Sequence, residues 1–169
     1  MIPRPTNADP EFFRKLKVLV VEDSAEMRRL LAALLESMGV EQVVEARDGL
    51  KGLDAFIEHK PDIIITDGAM QPMDGYEMTQ RVRAAGAVEG ANPDVPILMI
   101  SGHVERENVV HARDQGVTDY LPKPLSASVL YEAIVAAVSK PIHFVETPGY
   151  RGPSPKRHLA ARGIDDAGF

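Results

Sequence analysis

Four short apolar runs in this 169-residue chain end directly on residues able to do chemistry. Glu22 and Asp23 follow the first run, Asp67 follows Ile63-Ile-Ile-Thr66, Ser101 follows Pro96-Ile-Leu-Met-Ile100, and Lys123-Pro124 follows Tyr120-Leu-Pro122. Brought to one place, three carboxylates repel one another. A divalent cation relieves that repulsion, and carboxylate oxygens favour Mg2+. A hydroxyl and an ammonium beside a metal-bound carboxylate make a site for an anion, and the economical ligand is a phosphoryl group. One carboxylate is then able to act as the nucleophile that receives it, as in aspartyl-phosphate chemistry. The metal and Lys123 offset the charge, and the Ser101 hydroxyl hydrogen-bonds a phosphoryl oxygen.

The elements between these residues decide whether they meet. The β-branched run 17–22 reads as a strand buried on both faces of a parallel sheet. Ser24 is suited to cap a helix, Met27, Leu30, Leu31, Leu34, Leu35 and Met38 follow at helical spacing, and Gly39 stops it. A weaker strand at 42–46 precedes a helix marked by Leu50, Leu53 and Ile57, which Pro61-Asp62 ends before the third strand. Residues 68–74 read as a loop, 75–85 as a helix, 86–95 as a Gly- and Pro-bearing connection, and 96–100 as the fourth strand. A fourth helix at 104–115, a fifth strand at 118–121 and a fifth helix capped by Ser126 complete the pattern, with Leu130, Ile134, Ala137 and Val138 facing inward. Five strand–helix units imply an α/β fold with a parallel sheet and right-handed crossovers. Ligands of such sheets bind at the carboxyl ends of the strands, beside the topological switch point, where all of the residues above fall.

Composition removes other chemistries. There is no cysteine, which excludes disulfide scaffolds, thiolate metal sites and cysteine nucleophiles. The five histidines show no metal-ligand spacing. No apolar run approaches a membrane span, and the first 17 residues hold no signal-like apolar stretch, so a cytoplasmic protein is expected. The net charge of −6 argues against broad nucleic-acid binding. It divides unevenly, with residues 140–169 at net +2 and the remainder at −8. Residues 1–15, with three prolines and no periodicity, are expected to form a loose arm outside the fold. After Lys140 prolines and glycines crowd the chain; Ile142, Phe144 and Val145 are candidates to dock, and the rest is expected to be mobile.

The segments Val21-Glu-Asp-Ser24, Ile64-Ile-Thr-Asp67, Met70-Gln-Pro-Met-Asp-Gly75, Ile100-Ser-Gly102 and Tyr120-Leu-Pro-Lys-Pro124 resemble, in order and spacing, the receiver domain of two-component response regulators. The resemblance covers residues 16–139 and implies a stand-alone, flavodoxin-like receiver with five helices and strand order 2-1-3-4-5. It implies that Asp67 is the phosphoacceptor, fed by a histidine kinase or histidine phosphotransferase. Glu22 and Asp23 become the acid pair that with Asp67 and the backbone carbonyl of Ala69 holds Mg2+ or Mn2+, Asp23 as a direct ligand. Ser101 becomes the switching hydroxyl, Lys123 the phosphate-binding ammonium and Tyr120 the aromatic whose rotamer follows Ser101. Activity is then limited to self-phosphorylation and self-dephosphorylation. Output is expected through the fourth helix, fifth strand and fifth helix to an unknown target protein or by phosphorelay, since the tail is too short for a DNA-binding helix-turn-helix. Two departures bear on the lifetime of the phosphate, namely Ala69 and His103 at positions that tune its loss. A third places Gln71 where the family usually has proline, with Pro72 one residue later.

Two other readings compete. A haloacid-dehalogenase-type phosphohydrolase also sets a nucleophilic Asp after an apolar strand, but needs a second acid two residues on, where this chain has Ala69. A degenerate receiver would bind partners without turning over phosphate, against which the intact Asp23, Asp67 and Lys123 argue.

Overall fold

The computed structural model describes residues 10–102, 106–139 and 144–153. The apolar runs become β1 (Lys17–Val21), β2 (Gln42–Ala46), β3 (Ile63–Asp67), β4 (Ile97–Ser101) and β5 (Asp119–Pro122). All pair in parallel, in the order β2-β1-β3-β4-β5, which is the doubly wound, flavodoxin-like topology. Helices α1 (Pro10–Lys15), α2 (Ala25–Ser37), α3 (Gly49–His59), α4 (Gly75–Arg83), α5 (Arg106–Asp114) and α6 (Ala127–Ser139) flank the sheet. The helix expected at 75–85 ends as a short 3-10 turn, Ala85–Ala87.

Local chemistry fixes the helix starts. The side chains of Ser24, Asp48 and Asp74 accept hydrogen bonds from the backbone N–H of Met27, Lys51 and Glu77, and Ser126 accepts from Val129. The period of two then divides the core. Val18, Val20, Ile63, Ile65, Leu98, Ile100 and Leu121 face Leu31 and Leu35 of α2 and Leu130 and Ile134 of α6. Leu19, Val21, Ile64 and Ile97 face Phe56 of α3 and Met78 and Val82 of α4, while Met99 and Tyr120 pack with Ala112 of α5. Strands covered on both faces must be largely apolar, as β1, β3 and β4 are, whereas β2 at the sheet edge carries Gln42 and Glu45. Among the described residues no helix is long and apolar enough to cross a membrane.

Both ends are more ordered than expected, with Phe144 docking on the body as anticipated. Residues 10–15 are not a loose arm: they form α1, and Phe13 is buried against Tyr131 with ring centroids 5.1 Å apart. Six residues are too few to display a helical period, so only the tertiary contact reveals them.

The tail forms a hairpin, β6 (Phe144–Thr147) with β7 (Tyr150–Pro153), turned at Gly149 with φ +83°. It docks on a buried arginine at the pole of the sheet opposite the strand carboxyl ends. Arg83 donates to the carbonyls of Pro93 (2.8 Å), Val95 (2.6 Å) and Gly116 (3.0 Å). Phe144 lies over its guanidinium at 5.2 Å, Arg151 donates to the Arg83 carbonyl at 3.2 Å, and Arg151 pairs with Asp94 at 2.7 Å. Ile142 lies outside the described residues. Ending the chain at Lys140 strips the stacked Phe144 ring from Arg83 and removes the Arg151–Asp94 ion pair. Stability should fall by about 1–2 kcal/mol, roughly 3–6 °C in Tm by calorimetry. Aspartate phosphorylation should persist, because the acids and Lys123 lie at the other pole. An unchanged Tm would show that the hairpin contributes nothing to the fold.

Candidate functional site

β1 and β3 are neighbours, and the register sets Val21 opposite Thr66. The next residue of each strand is an acid, so Glu22 and Asp67 emerge side by side at the switch point. Asp23 joins them: one carboxylate oxygen from each of Glu22, Asp23 and Asp67 lies within 4.8 Å of the others. That spacing lets the three share one divalent cation.

The two sequence-adjacent acids have opposite environments. Asp23 is exposed, whereas Glu22 is only 2% exposed. Burial pushes the Glu22 carboxyl up to about 7, with the Asp67 charge and a hydrogen bond to Asp23 adding to the rise. The Ser24 N–H, 3.2 Å from Oε1, and the Lys123 ammonium oppose it. Oε2 is buried with no hydrogen-bond donor and lies 3.7 Å from Lys123 Nζ. A buried carboxylate oxygen without a donor, beside two further acids, fits a cation ligand.

Asp67 is held from several sides. Its Oδ1 accepts from the Gly68 N–H at 2.8 Å and lies 3.5 Å from Lys123 Nζ. The Thr66 hydroxyl donates to the Asp67 carbonyl at 2.9 Å. The Gly75 backbone presses on that same carbonyl: a Cβ at position 75 would collide with the oxygen. Glycine is required there because the start of α4 is packed against the strand end. The Gly75 N–H closes the loop by donating to the Gly68 carbonyl at 3.0 Å. Within this loop the Gln71-Pro72 bond is cis.

Lys123 reaches the acids from the other side of β4. Ser101 is in register with Pro122, and the Lys123 N–H donates to the Ser101 carbonyl at 2.8 Å. The Lys123-Pro124 bond is cis. Ser101 is buried at the end of β4. Tyr120 shares its face of the sheet, turned inward and 1% exposed, among Met99, Ala112 and Val117. The structure thus brings Glu22, Asp23, Asp67 and Lys123 together, with Ser101 and Tyr120 on the adjoining strands. Ala69 lies exposed in the turn after Asp67, and His103 lies outside the described residues.

Three residues escaped the sequence reading. Arg28, which reads as part of a solvated helix face, donates to the Glu22 carbonyl at 2.7 Å and pairs with Glu45 at 3.5 Å, fixing the loop that carries the acids. The Thr66 bond to Asp67 and the placement of Tyr76 over the neighbouring loop are the others. The Thr66 bond runs to the adjacent residue and Arg28 follows the acid pair closely, so both carried a local signal; the Tyr76 placement is visible only from the packing of its ring.

The raised Glu22 pKa has a defined sign. The folded chain holds this proton to about pH 7 and the unfolded chain to about 4.5. The group's contribution to stability is therefore full below about 4.5 and falls as pH rises through 7. A cation needs the ionised form, so Mg2+ binding, followed by calorimetry, should tighten as pH rises from about 6 to about 8. The gain should reach about tenfold per pH unit below 7. Affinity independent of pH over that range would remove Glu22 from the cation site.

Comparison with known proteins agrees with this geometry. The family model described as the response regulator receiver domain matches residues 18–135. The chain is 32% identical over 121 residues to the chemotaxis protein CheY-3 of Vibrio cholerae, covering 72% of this chain and 90% of the relative. It is 33% identical over 119 residues to the chemotaxis protein CheY of Pseudomonas aeruginosa, covering 70% and 93%. Among solved structures, Vibrio cholerae CheY4 superposes with a TM-score of 0.64 at 29% identity, over 72% of this chain and 98% of that one.

Proposed function

The chain belongs to the response regulator receiver domain family, whose members are phosphorylation-dependent signalling modules of two-component systems, and from that premise we propose that Asp67 is its phosphoacceptor. The observation that carries this is the Asp67 carboxylate, 3.5 Å from the Lys123 ammonium and grouped with Glu22 and Asp23 at the switch point. In the transfer, an Asp67 carboxylate oxygen bonds to phosphorus as the phosphorus–nitrogen bond of a phosphohistidine breaks, and the leaving imidazole nitrogen keeps the electron pair of that bond while the ring's other nitrogen carries the proton. The donor is a histidine kinase or histidine phosphotransferase, and the chain itself is cytoplasmic.

Glu22, Asp23, Asp67 and the Ala69 carbonyl would hold Mg2+ or Mn2+, which supplies charge neutralisation for the incoming phosphoryl oxygens. Lys123 offsets charge from the other side, and the Ser101 hydroxyl donates to a phosphoryl oxygen. Water then cleaves the acyl phosphate, restoring the Asp67 carboxylate and releasing inorganic phosphate, at a rate that Ala69 and His103 would tune. The chain's only chemistry is then on itself, and its product is a conformational state rather than a metabolite. Movement of Ser101 biases Tyr120 and the surface of α5, β5 and α6, where a target protein docks.

The test is exposure of the full chain to a small phosphodonor with and without Mg2+. A metal-dependent, hydroxylamine-sensitive label on the protein is expected. Steady release of phosphate from external esters without a labelled protein would favour a hydrolase. No label and no turnover would leave only a binding module.

A further inference from the structure

The carboxyl edge of the sheet carries a second charged feature, one that the chemistry at Asp67 does not use. Register sets Ala46 of β2 opposite Val21 of β1, and Val21 opposite Thr66 of β3. The residues that follow these three are Arg47, Glu22 and Asp67. The Glu22 N–H donates to the Ala46 carbonyl at 3.0 Å, so the row continues past the strand ends. Neighbouring strands lie about 4.8 Å apart, which puts the backbone of Arg47 about 10 Å from that of Asp67.

Arg28, Glu45, Ala46, Arg47 and Lys51 line one open pocket at this edge. Its cations are not alike. Arg28 is partly buried, donates to the Glu22 carbonyl at 2.7 Å and pairs with Glu45 at 3.5 Å, so Glu45 compensates its charge. Arg47 and Lys51 are exposed, and among the described residues neither pairs with an acid. The neighbouring acid, Asp48, is turned to the cap of α3, where it accepts from the Lys51 N–H at 2.9 Å. The pocket thus gathers three cations against one acid in a chain of net charge −6. Uncompensated cations converging on one concavity attract an anionic group.

The surroundings choose among anions. Leu50, beside Lys51 in the first turn of α3, is 46% exposed, and an apolar side chain at the rim suits a protein partner rather than a free ion. The acids Glu22, Asp23 and Asp67 close by repel a polyanion such as a nucleic acid. A protein is able to bring a single carboxylate to the pocket and a different group to Asp67.

We propose that this pocket recognises an acidic side chain of the phosphodonor protein, about 10 Å from its phosphohistidine; the proposal rests on the reading of Asp67 as phosphoacceptor. At 1.5 Å per residue, about 10 Å along a helix is about seven residues, or two turns. A donor helix lying across β3, β1 and β2 then sets its histidine over Asp67 and a Glu or Asp two turns away between Arg47 and Lys51. Such rim charges govern partner choice and encounter rate.

The probe is a stapled helical peptide bearing a histidine and, seven residues on, a glutamate; its control has glutamine in place of that glutamate. Each is titrated into the full chain with Mg2+ at low salt, and the backbone NMR signals of residues 45–51 are followed. The glutamate peptide should bind about three- to tenfold more tightly than the control and shift Arg47 and Lys51. The double variant Arg47→Gln, Lys51→Gln should bind the two peptides alike, and so should the wild-type chain in about 0.5 M salt. Both positions are exposed, so labelling of the variant by a small phosphodonor should stay within about twofold of wild type. Equal binding of the two peptides to the wild-type chain, or no binding of either, would overturn the proposal. So would a preference for glutamate that survives the double variant, or a variant that loses the small-phosphodonor label. A wild-type chain that takes no label from a small phosphodonor would instead overturn the reading of Asp67, whatever the pocket binds.

Discussion

Asp67→Asn is expected to abolish Mg2+-dependent phosphorylation, lowering the label at least about a hundredfold, because an amide cannot supply the nucleophilic oxygen. The fold should survive. The Asn carbonyl oxygen can accept the Gly68 N–H bond that Oδ1 now accepts at 2.8 Å. One negative charge also leaves a cluster in which Asp67 helps to raise the Glu22 pKa, so apo stability should hold or rise slightly. The ion pair with Lys123 at 3.5 Å is lost, but Lys123 keeps Glu22 at 3.7 Å. Mass spectrometry after treatment with a small phosphodonor measures the effect. An undiminished label on Asp23 or Glu22 would move the phosphoacceptor to another acid.

Asp23→Ala is expected to weaken Mg2+ binding about 10- to 100-fold and to slow phosphorylation in step, with almost no cost to the apo fold. Asp23 is exposed, so its truncation opens no cavity. Its removal also takes away the hydrogen bond that raises Glu22, leaving that neighbour easier to ionise. The contrast with Glu22 is the point of the experiment: two adjacent acids share a cation, but only one is bound into the protein interior. Calorimetric titration of Mg2+ and a thermal melt, done on the same preparation, separate the roles. A sharp drop in Tm with unchanged Mg2+ affinity would make Asp23 a structural residue.

The site is legible in the chain to the extent that strand ends are. Runs such as Ile63-Ile-Ile-Thr66 declare buried parallel strands by their β-branched composition, and every acid that closes such a run is carried to one edge by the right-handed alternation of strand and helix. Ser24, Asp74 and Ser126 likewise announce their caps, since a capping bond spans only a few residues. Periodicity and spacing thus determined the α/β class, the five strands and the convergence of Glu22, Asp23, Asp67, Ser101 and Lys123; the motifs those residues compose carried the strand order through family resemblance. What the chain alone left open depends on partners far away in sequence. Glu22 and Asp23 are indistinguishable as a dipeptide, and only the packed sheet makes one 2% exposed with a pKa near 7 while leaving the other in water. Phe13 carries no periodic signal until Tyr131 covers it, and the Pro- and Gly-rich tail becomes a hairpin because Arg83 offers a buried guanidinium beneath Phe144. Tyr76 reads as an unremarkable helix residue until Gly68 and Tyr120 fold around it. Burial and desolvation are properties of surroundings assembled from distant segments, so tertiary structure alone decides them.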